Sequence, residues 1–532
     1  MTGMATALPK SACPGWVGEI LGCLERGASV RRDLPGGGRV HIDRPLPFLC
    51  LHATGDGHQL AALDVATANA SYLIAPDVRA VAPLLDGLGR AMLRKFGAFL
   101  VIEVAELEED RLLSPDSPYL PPFETILTLQ DRPAVRAAAD AFAEAMANAP
   151  VKYRSPQVVL KTADAETAWS RGLDPRIARL AIAFAPVYRE PKTARLYPDL
   201  RRRLVATIFD ALLRACAAFL ARSGAWSPPT HQALGRRVFV EAVERVDRRI
   251  DQVARSFDFL LAITPINAEA ARQEFRSGGF AAAPRLLYRP LTVEVDVEKR
   301  RLFSIPFGKL EDPLLYDLYR QKQQELDLML TMIAARETAQ FRETSRVLYG
   351  SVEPALLDAA KQVLAVAPTH RPTGDPVGCH HVRREAHRMI QAYRTAGMRF
   401  PALVSLRRDV PAGLMVSGPR LMISRNTVMP RGRVDALLSH EVGVHLFTYF
   451  AGDAQGLRLF RSGLAGYDGL QEGLAVFAEY LAGGMTRARL RLVAARVVGC
   501  AAMLDGADFP ETTRRGWTAW RGTGRRAAPA CG

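Results

Sequence analysis

The sequence of 532 residues lacks several features that would assign it to a familiar class of protein. Its seven cysteines include no C-x-x-C pair, which indicates free thiols in a reducing compartment. The only dinucleotide-like glycine run, Gly55-Asp56-Gly57, has Leu60 at its third glycine position and is interpreted as a loop. No apolar run approaches the roughly 18 residues that a membrane span needs, and residues 1–20 lack the apolar core of a secretory signal. We therefore predict a cytoplasmic protein with no membrane span.

The charge is strongly basic but not concentrated. Lys and Arg number 70 against 55 Asp and Glu, which makes the formal net charge +15 and the isoelectric point about 9.7. No zinc-finger, RNP-like or Arg-rich recognition segment accompanies this charge, so we do not expect nucleic acid as a partner. A basic anion-binding protein stays open as an alternative function. The apolar fraction of 48% excludes intrinsic disorder of the whole chain.

Hydrophobic patterning divides the chain into regions. Short β-rich runs alternate with helical stretches from Leu46 to Phe184, which predicts an α/β domain over residues 1–195. Long helical patterns predict a helical region over residues 196–340. Strands followed by a helix from Arg431 to Phe450 belong to a third domain over residues 341–510, and residues 511–532 read as a basic tail, disordered or aberrant. The fold class is thus α+β multidomain. The predicted strands are Pro47–Leu51, Ala70–Ile74, Phe99–Val104, Thr125–Thr128, Val158–Lys161, Leu180–Phe184, Leu403–Leu406, Leu414–Ser417 and Leu421–Ser424, and the predicted long helices are Tyr197–Arg222, Leu234–Ile263 and Leu310–Arg336.

A histidine-rich motif stands on the apolar helix of the third domain. His440 and Glu441 are followed by His445, an H-E-x-x-x-H pattern for which chance predicts roughly 0.02 occurrences in a chain of this composition. Burying two imidazoles and a carboxylate on a core-facing helix costs several kcal/mol unless a partner satisfies them. A divalent metal can satisfy all three, whereas two hydrogen-bonded core histidines are the structural alternative.

The spacing of the two histidines predicts a distorted helix. Residues i and i+5 of a regular helix are about 140° apart and cannot face one metal. One inserted residue, a π-bulge, restores the common face, and Gly443 lies where the backbone must yield.

A third ligand is expected downstream. Glu472 in the segment Gln471-Glu472-Gly473-Leu474-Ala475 opens a helical stretch from about Leu470 to Leu481, far enough from His445 for the chain to return. Glu479 lies seven residues later on nearly the same face and competes for this role. We favour Glu472.

These motifs together resemble one protein family. The His440–His445 and Gln471–Ala475 segments, with Gly413–Gly418 before the first and Gly463–Leu470 before the second, are similar to the flavohaemoglobin expression-modulating QEGLA motif proteins, which are themselves similar to microtubule-associated tyrosine carboxypeptidases. The resemblance extends from about Pro45 to Pro510. It implies a zincin-like metallopeptidase domain in which His440, His445 and Glu472 hold Zn²⁺ and Glu441 is the catalytic base.

The predicted function is therefore a zinc-dependent peptidase of carboxypeptidase type that uses a metal-activated water on a peptide or protein C-terminus. Extended substrate could add to the strands before the motif helix, and arginines around them could grip a terminal carboxylate. Those arginines are Arg420, Arg425, Arg431 and Arg433. Tyr467 and Tyr480 could supply an oxyanion donor but are not assigned to the site. A non-catalytic regulatory protein that retains a structural metal is the main alternative, and the sequence assigns no oligomeric state.

Overall fold

A computed structural model describes residues 15–55, 59–113, 121–162, 172–190, 195–224, 226–237, 241–366 and 374–521, the last six as backbone alone. The chain forms two compact units. The first comprises the described residues up to Ala242 together with Gly308–Tyr316, and the second comprises Val243–Phe307 and the residues from Asp317 onward. The fold is α+β with mixed sheets, as predicted. The domain boundaries at residues 195, 340 and 510 stay predictions.

The first unit is built on a mixed eight-stranded sheet. Its strands lie in the order β1-β2-β4-β3-β5-β8-β6-β7, and the central neighbours β4, β3, β5 and β8 are parallel. The strands are β1 Val30–Asp33, β2 Arg39–Ile42, β3 Phe48–Ala53, β4 Ser71–Ala75, β5 Leu100–Glu106, β6 Phe123–Leu129, β7 Pro156–Thr162 and β8 Ala178–Phe184. The helices are α1 Gly15–Glu25, α2 Leu60–Ala68, α3 Ala82–Phe96, α4 Pro133–Ala147 and α5 Pro198–Arg222, with short 3₁₀ turns at Val78–Val81 and His231–Leu234.

Both faces of this sheet are buried. Phe48 and Cys50 of β3 enter one apolar core, whereas Leu49 and Leu51 enter a second core on the other face. Successive strand residues point to opposite faces, so strands covered on both sides read as continuous apolar runs. The six strands predicted between Leu46 and Phe184 are confirmed, and the edge strand β7 is the one among them with no buried residue.

Helix α5 is a core helix of the first unit. By length and composition it could cross a bilayer, and it is the one described helix that could. Its apolar window is 61% buried against the unit, with Leu204, Ile208 and Leu212 fully enclosed. A buried core helix passes the same compositional test as a membrane span.

The second unit is mainly helical with two small sheets. Two of its helices, α6 and α10, begin in residues that belong to the first unit. The helices are α6 Glu241–Ser256, α7 Phe259–Ile263, α8 Ala268–Ser277, α9 Val295–Phe303, α10 Pro313–Ala334, α11 Ala339–Tyr349, α12 Pro354–Ala365, α13 Cys379–Thr395, α14 Val434–His440, α15 Phe447–Asp453, α16 Arg458–Ser462, α17 Asp468–Leu481, α18 Arg487–Leu504 and α19 Phe509–Arg521. Its strands are β9 Pro376–Gly378, β10 Leu403–Arg407, β11 Leu414–Ser417, β12 Arg420–Ser424 and β13 Val428–Pro430. The three-stranded sheet has the order β10-β12-β11, so β11 is an edge strand, and β13 pairs with β9.

Two sequence predictions in this unit need correction. The single helix predicted over Leu234–Ile263 ends at Ser256, because Asp258 begins a new helix by accepting a hydrogen bond from the Leu261 backbone N–H at 3.0 Å. Residues Glu511–Arg521 of the predicted disordered tail form the end of α19, where Arg515 pairs with Glu511 one turn away at 2.5 Å. Residues 522–532 lie outside the described part of the chain.

Candidate metal centre

The helix that carries the two histidines contains the predicted distortion. Helix α14 passes directly into a π-helical turn at Glu441–Leu446 and then into α15. The turn is anchored because Leu438, Val442 and Leu446 pack into one apolar core with Leu421 and Ile423 of β12. The wider π turn brings the i and i+5 residues onto one face, and the ring centroids of His440 and His445 are 4.9 Å apart. The prediction of a π-bulge is confirmed.

Glu472 on α17 completes a group of three possible metal ligands. Its carboxylate oxygens lie 3.8 Å from Nε2 of His440 and 3.5 Å from Nε2 of His445. One donor atom of each residue lies within 4.8 Å of the others, and this is the one group of its kind in the described part of the chain. The Glu472 side chain is 62% exposed, so the group opens to solvent on one side.

Glu479, the competing third ligand in the sequence prediction, has a different position. Its side chain is fully buried, and Oε1 lies 2.9 Å from Nδ1 of His440, on the side of the ring away from Glu472. Arg489 donates two hydrogen bonds to the same carboxylate at 2.8 and 2.9 Å, and Arg433 lies 3.6 Å away. Burial alone would raise the pKa of Glu479, but the contacts with His440 and Arg489 outweigh it and lower this pKa to about 2. At neutral pH Glu479 is therefore an ionised carboxylate, and it faces the Nδ1 side of the His440 ring.

His445 has an equivalent partner that is uncharged. Its Nδ1–H donates to Oε1 of Gln471 at 2.9 Å. The Gln471 amide nitrogen donates in turn to the hydroxyl of Thr448, which donates to the Val444 carbonyl at 2.9 Å. Because the amide nitrogen is engaged by Thr448, the amide oxygen faces the histidine. The first residue of the Gln471–Ala475 motif thus orients the ring of His445.

These contacts fit a bound cation. Nδ1 of His445 donates to Gln471, and Nδ1 of His440 faces the Glu479 carboxylate at 2.9 Å without an aligned hydrogen bond. With a proton on each Nδ1, each neutral imidazole carries its lone pair on Nε2. Both Nε2 atoms then face the Glu472 carboxylate, so three electron-pair donors converge on one point. Lone pairs directed at one point repel each other unless protons or a metal ion lie between them. Two histidines, a carboxylate and an open side form the usual donor set of a catalytic zinc site.

Glu441 lies directly after the first histidine and is buried, with 8% of its surface exposed. Burial raises the pKa of Glu441 to about 7, with His440 opposing and Glu472 adding to the shift. Burial would lower the pKa of His440, but Glu479 and Glu441 reverse that effect and raise it, whereas burial lowers the pKa of His445. No hydrogen bond or ion pair reaches the Glu441 carboxylate from residues that the structure describes. The carboxylate is therefore available to a substrate or a water molecule.

Two cavities meet at this centre, and His440, Glu441 and Glu472 line both. The arginine-side cavity, of about 770 Å³, is bordered by Arg433, Arg489, Arg496 and an apolar face of α18. The strand-side cavity, of about 840 Å³, is bordered by β11, Tyr349, Tyr449 and Tyr467. The centre therefore stands in a cleft with space on two sides.

The side chains of this cleft differ in part from the predicted ones. Of the four arginines expected around the strands, Arg433 lines a described cavity, whereas Arg420 lies 3.7 Å from Asp258, and Arg425 and Arg431 line neither. Arg489 and Arg496 of α18 were not expected, because nothing local in the sequence of α18 points toward the motif helix. Tyr467 lines the strand-side cavity, whereas Tyr480 is 62% exposed and lines neither.

Comparison with known proteins points to the same part of the chain. Residues 273–515 match the family model of microtubule-associated tyrosine carboxypeptidase. This region is similar to those carboxypeptidases, so the resemblance inferred from the motifs is confirmed here. The match covers less of the chain than the span from Pro45 to Pro510 that the motifs suggest, and it includes all four residues of the candidate centre. No curated protein and no solved structure matches the chain.

Proposed function

We propose that the second unit is a zinc-dependent peptidase of carboxypeptidase type with a zincin-like active site. The observation that carries the proposal is the convergence of Nε2 of His440, Nε2 of His445 and the Glu472 carboxylate, with each Nδ1 held from behind. The similarity of residues 273–515 to a carboxypeptidase family supports the same class of reaction. His440, His445 and Glu472 would hold the ion.

The chemistry divides between the ion and the protein. A zinc ion held by His440, His445 and Glu472 would act as a Lewis acid and would lower the pKa of a water molecule toward 7. Glu441 takes a proton from the attacking water and later delivers it to the leaving amine, which a carboxylate without structural partners can do. Tyr467, on the wall beside Glu472, is the candidate donor to the oxyanion.

Substrate binding is supported by the edge strand β11. Its residues from Leu414 to Ser417, and Gly418 after them, line the strand-side cavity with His440 and Glu441, and β12 pairs with one edge of β11. An extended peptide can add to the other edge through backbone hydrogen bonds. Arg496 is exposed on the wall of the arginine-side cavity and makes no hydrogen bond or ion pair with the described residues, so its guanidinium can receive a substrate carboxylate.

Metal analysis with three variants tests the proposal. We expect one zinc per chain in the purified protein and its loss in His440→Ala and Glu472→Ala. Glu441→Gln should keep the zinc and lose peptide hydrolysis. Asp435→Asn, an exposed charge change on the same helix, is the matched control. A folded wild-type protein that binds no divalent metal contradicts the proposal, and zinc retention with no hydrolysis of any peptide favours a structural metal in a regulatory protein.

A further inference from the structure

The volume of the arginine-side cavity is larger than the space that one released amino acid needs. An enzyme that releases one terminal residue needs space for that residue alone beyond the cleaved bond. The cavity measures about 770 Å³, within the range of pockets that enclose ligands much larger than one amino acid. A cavity of this size has room for several substrate residues beyond the bond that Glu441 would cleave.

The wall formed by α18 shows that this cavity is elongated. Thr486, the N-cap of α18, begins this wall, and most of the lining residues of the helix recur at three- and four-residue intervals along one face. They are Ala488, Arg489, Leu492, Val493, Arg496, Val497 and Cys500. From Thr486 to Cys500 a helix rises about 21 Å. An extended peptide advances about 3.3 Å per residue, so this wall is about six residues long.

The cavity is also open along this wall. Leu492 is 41% exposed, and Arg496 and Cys500 are exposed as well. A chain that lies along α18 therefore has a path to solvent, and its end need not lie inside the protein. On the other side of the centre, the edge of β11 offers a second extended site along the strand-side cavity.

We propose that this centre also hydrolyses peptide bonds inside a polypeptide, with several residues of substrate on each side of the cleaved bond. This endopeptidase activity rests on the proposed function, because it uses the same metal ligands and Glu441. Water adds across the C–N bond, which leaves a new carboxylate on one fragment and a new amine on the other. The favoured substrate is an unstructured segment whose apolar side chains match the leucines and valines of the arginine-side cavity and whose acidic side chain pairs with Arg496.

A pair of matched peptides tests the proposal with the zinc-loaded full chain. Both peptides have one sequence, long enough to fill both cavities, and one ends in a free carboxylate while the other ends in an amide. Mass spectrometry should find fragments of two or more residues from both peptides at comparable rates. Release of single residues from the free peptide, with no cleavage of the amide, would overturn the proposal and leave the carboxypeptidase function standing. No product from either peptide, or equal product from Glu441→Gln, would instead contradict the proposed function itself.

A substitution on the cavity wall locates the substrate. Leu492→Trp narrows the arginine-side cavity at a half-exposed site and should lower internal cleavage about tenfold or more. Leu490→Trp is the control, since Leu490 lies on the same helix with 42% exposure but lines neither cavity. Equal internal cleavage by the two variants would overturn the placement of substrate along α18.

Discussion

Two of the buried glutamates, one in each unit of the molecule, are buried to the same degree, and their carboxylates have opposite surroundings. Glu106 in the first unit and Glu441 in the second are both 8% exposed, and burial raises the pKa of each. Glu106 accepts hydrogen bonds from the backbone N–H groups of Ala61 at 2.7 Å and Ala62 at 3.1 Å, and from the Tyr188 hydroxyl at 3.0 Å. No described residue donates to the carboxylate of Glu441.

The difference shows that the donors around a buried acid decide its role. Glu106 closes the N-terminus of α2, where free backbone N–H groups would otherwise need another acceptor. It occupies the position at which a nucleotide-binding fold would hold phosphate, which agrees with the incomplete glycine pattern before α2. The Glu441 carboxylate can accept hydrogen bonds from a water molecule or a substrate. The first carboxylate is structural, and the second is the one expected to do chemistry.

The largest expected effect is the loss of hydrolysis in Glu441→Gln. Removal of a general base should lower kcat by about 10² to 10⁴-fold, because Gln has the shape of Glu but cannot accept the proton. Because no described residue depends on this carboxylate, zinc content and thermal stability should stay at the wild-type values. Kinetics, elemental analysis and a melting curve check the three statements, and a large fall in stability would show that Glu441 is structural after all.

The first unit also contains a buried polar side chain that, unlike Glu106, has no hydrogen-bond partner in the described part of the chain. His41 makes no hydrogen bond with the described residues. Burial, helped by Arg236 and Arg31, lowers the pKa of His41 to about 4. The folded state therefore disfavours protonation of this ring, so the free energy of unfolding falls by about 3 kcal/mol as the pH drops from 6.5 to 4. His41→Phe should flatten the unfolding free energy between pH 6.5 and 4, as measured by urea denaturation. The exposed His380→Phe is the control, and an unchanged slope in His41→Phe would refute the assignment.

The groups behind the two histidines should matter for metal binding by different amounts. Glu479→Gln removes the charged partner of His440 and should weaken zinc binding about 10 to 100-fold, as loss of such outer partners does in zinc sites. Gln471→Leu removes a neutral partner from His445 and should cost less, because hydrogen bonds to charged groups are the stronger ones. Competition with a zinc-binding dye measures both, and Asp435→Asn is the matched charge control. Wild-type affinity in Glu479→Gln would show that His440 is not a ligand oriented in this way.

The smallest expected effect is that of Glu106→Gln. The amide keeps one oxygen for the two backbone N–H groups but replaces the second oxygen, which faces Tyr188 and Arg189, with a donor, so the first unit should lose about 1–2 kcal/mol of its unfolding free energy. Zinc affinity and peptide hydrolysis should not change. Denaturant unfolding beside an activity assay checks both statements, and a selective loss of hydrolysis would break the comparison between the two glutamates.

Local pattern predicted much of this structure. The six apolar strands of the first unit and the strands before the motif helix could be predicted, because their patterns reflect burial on one or both faces. β1 and β2 were missed, since Arg31, Arg32 and Asp33 leave β1 with one buried residue. The break before Asp258 was also missed, because helical periodicity continues on both sides of it while the cap depends on one side chain.

The site divides in the same way. The i,i+5 spacing of His440 and His445 determined the π turn, since both rings can share a face only if one residue is inserted. The choice between Glu472 and Glu479 could not be settled by spacing, because the two lie on nearly the same helix face. The structure separates them by neighbours: Arg489 and Arg433 hold Glu479 behind His440, while Glu472 faces the cleft.

By itself, the sequence determined where the candidate centre lies: which two histidines, which carboxylate between them, and how the helix must deform to carry them. These are local properties, set by backbone geometry over a few residues. Tertiary structure alone decided that Gln471 and Glu479 hold the rings, that Glu441 stays without a partner, and that α18 supplies Arg489 and Arg496 to the cleft. Such contacts join side chains that are distant in the sequence, and their distances depend on how whole helices pack.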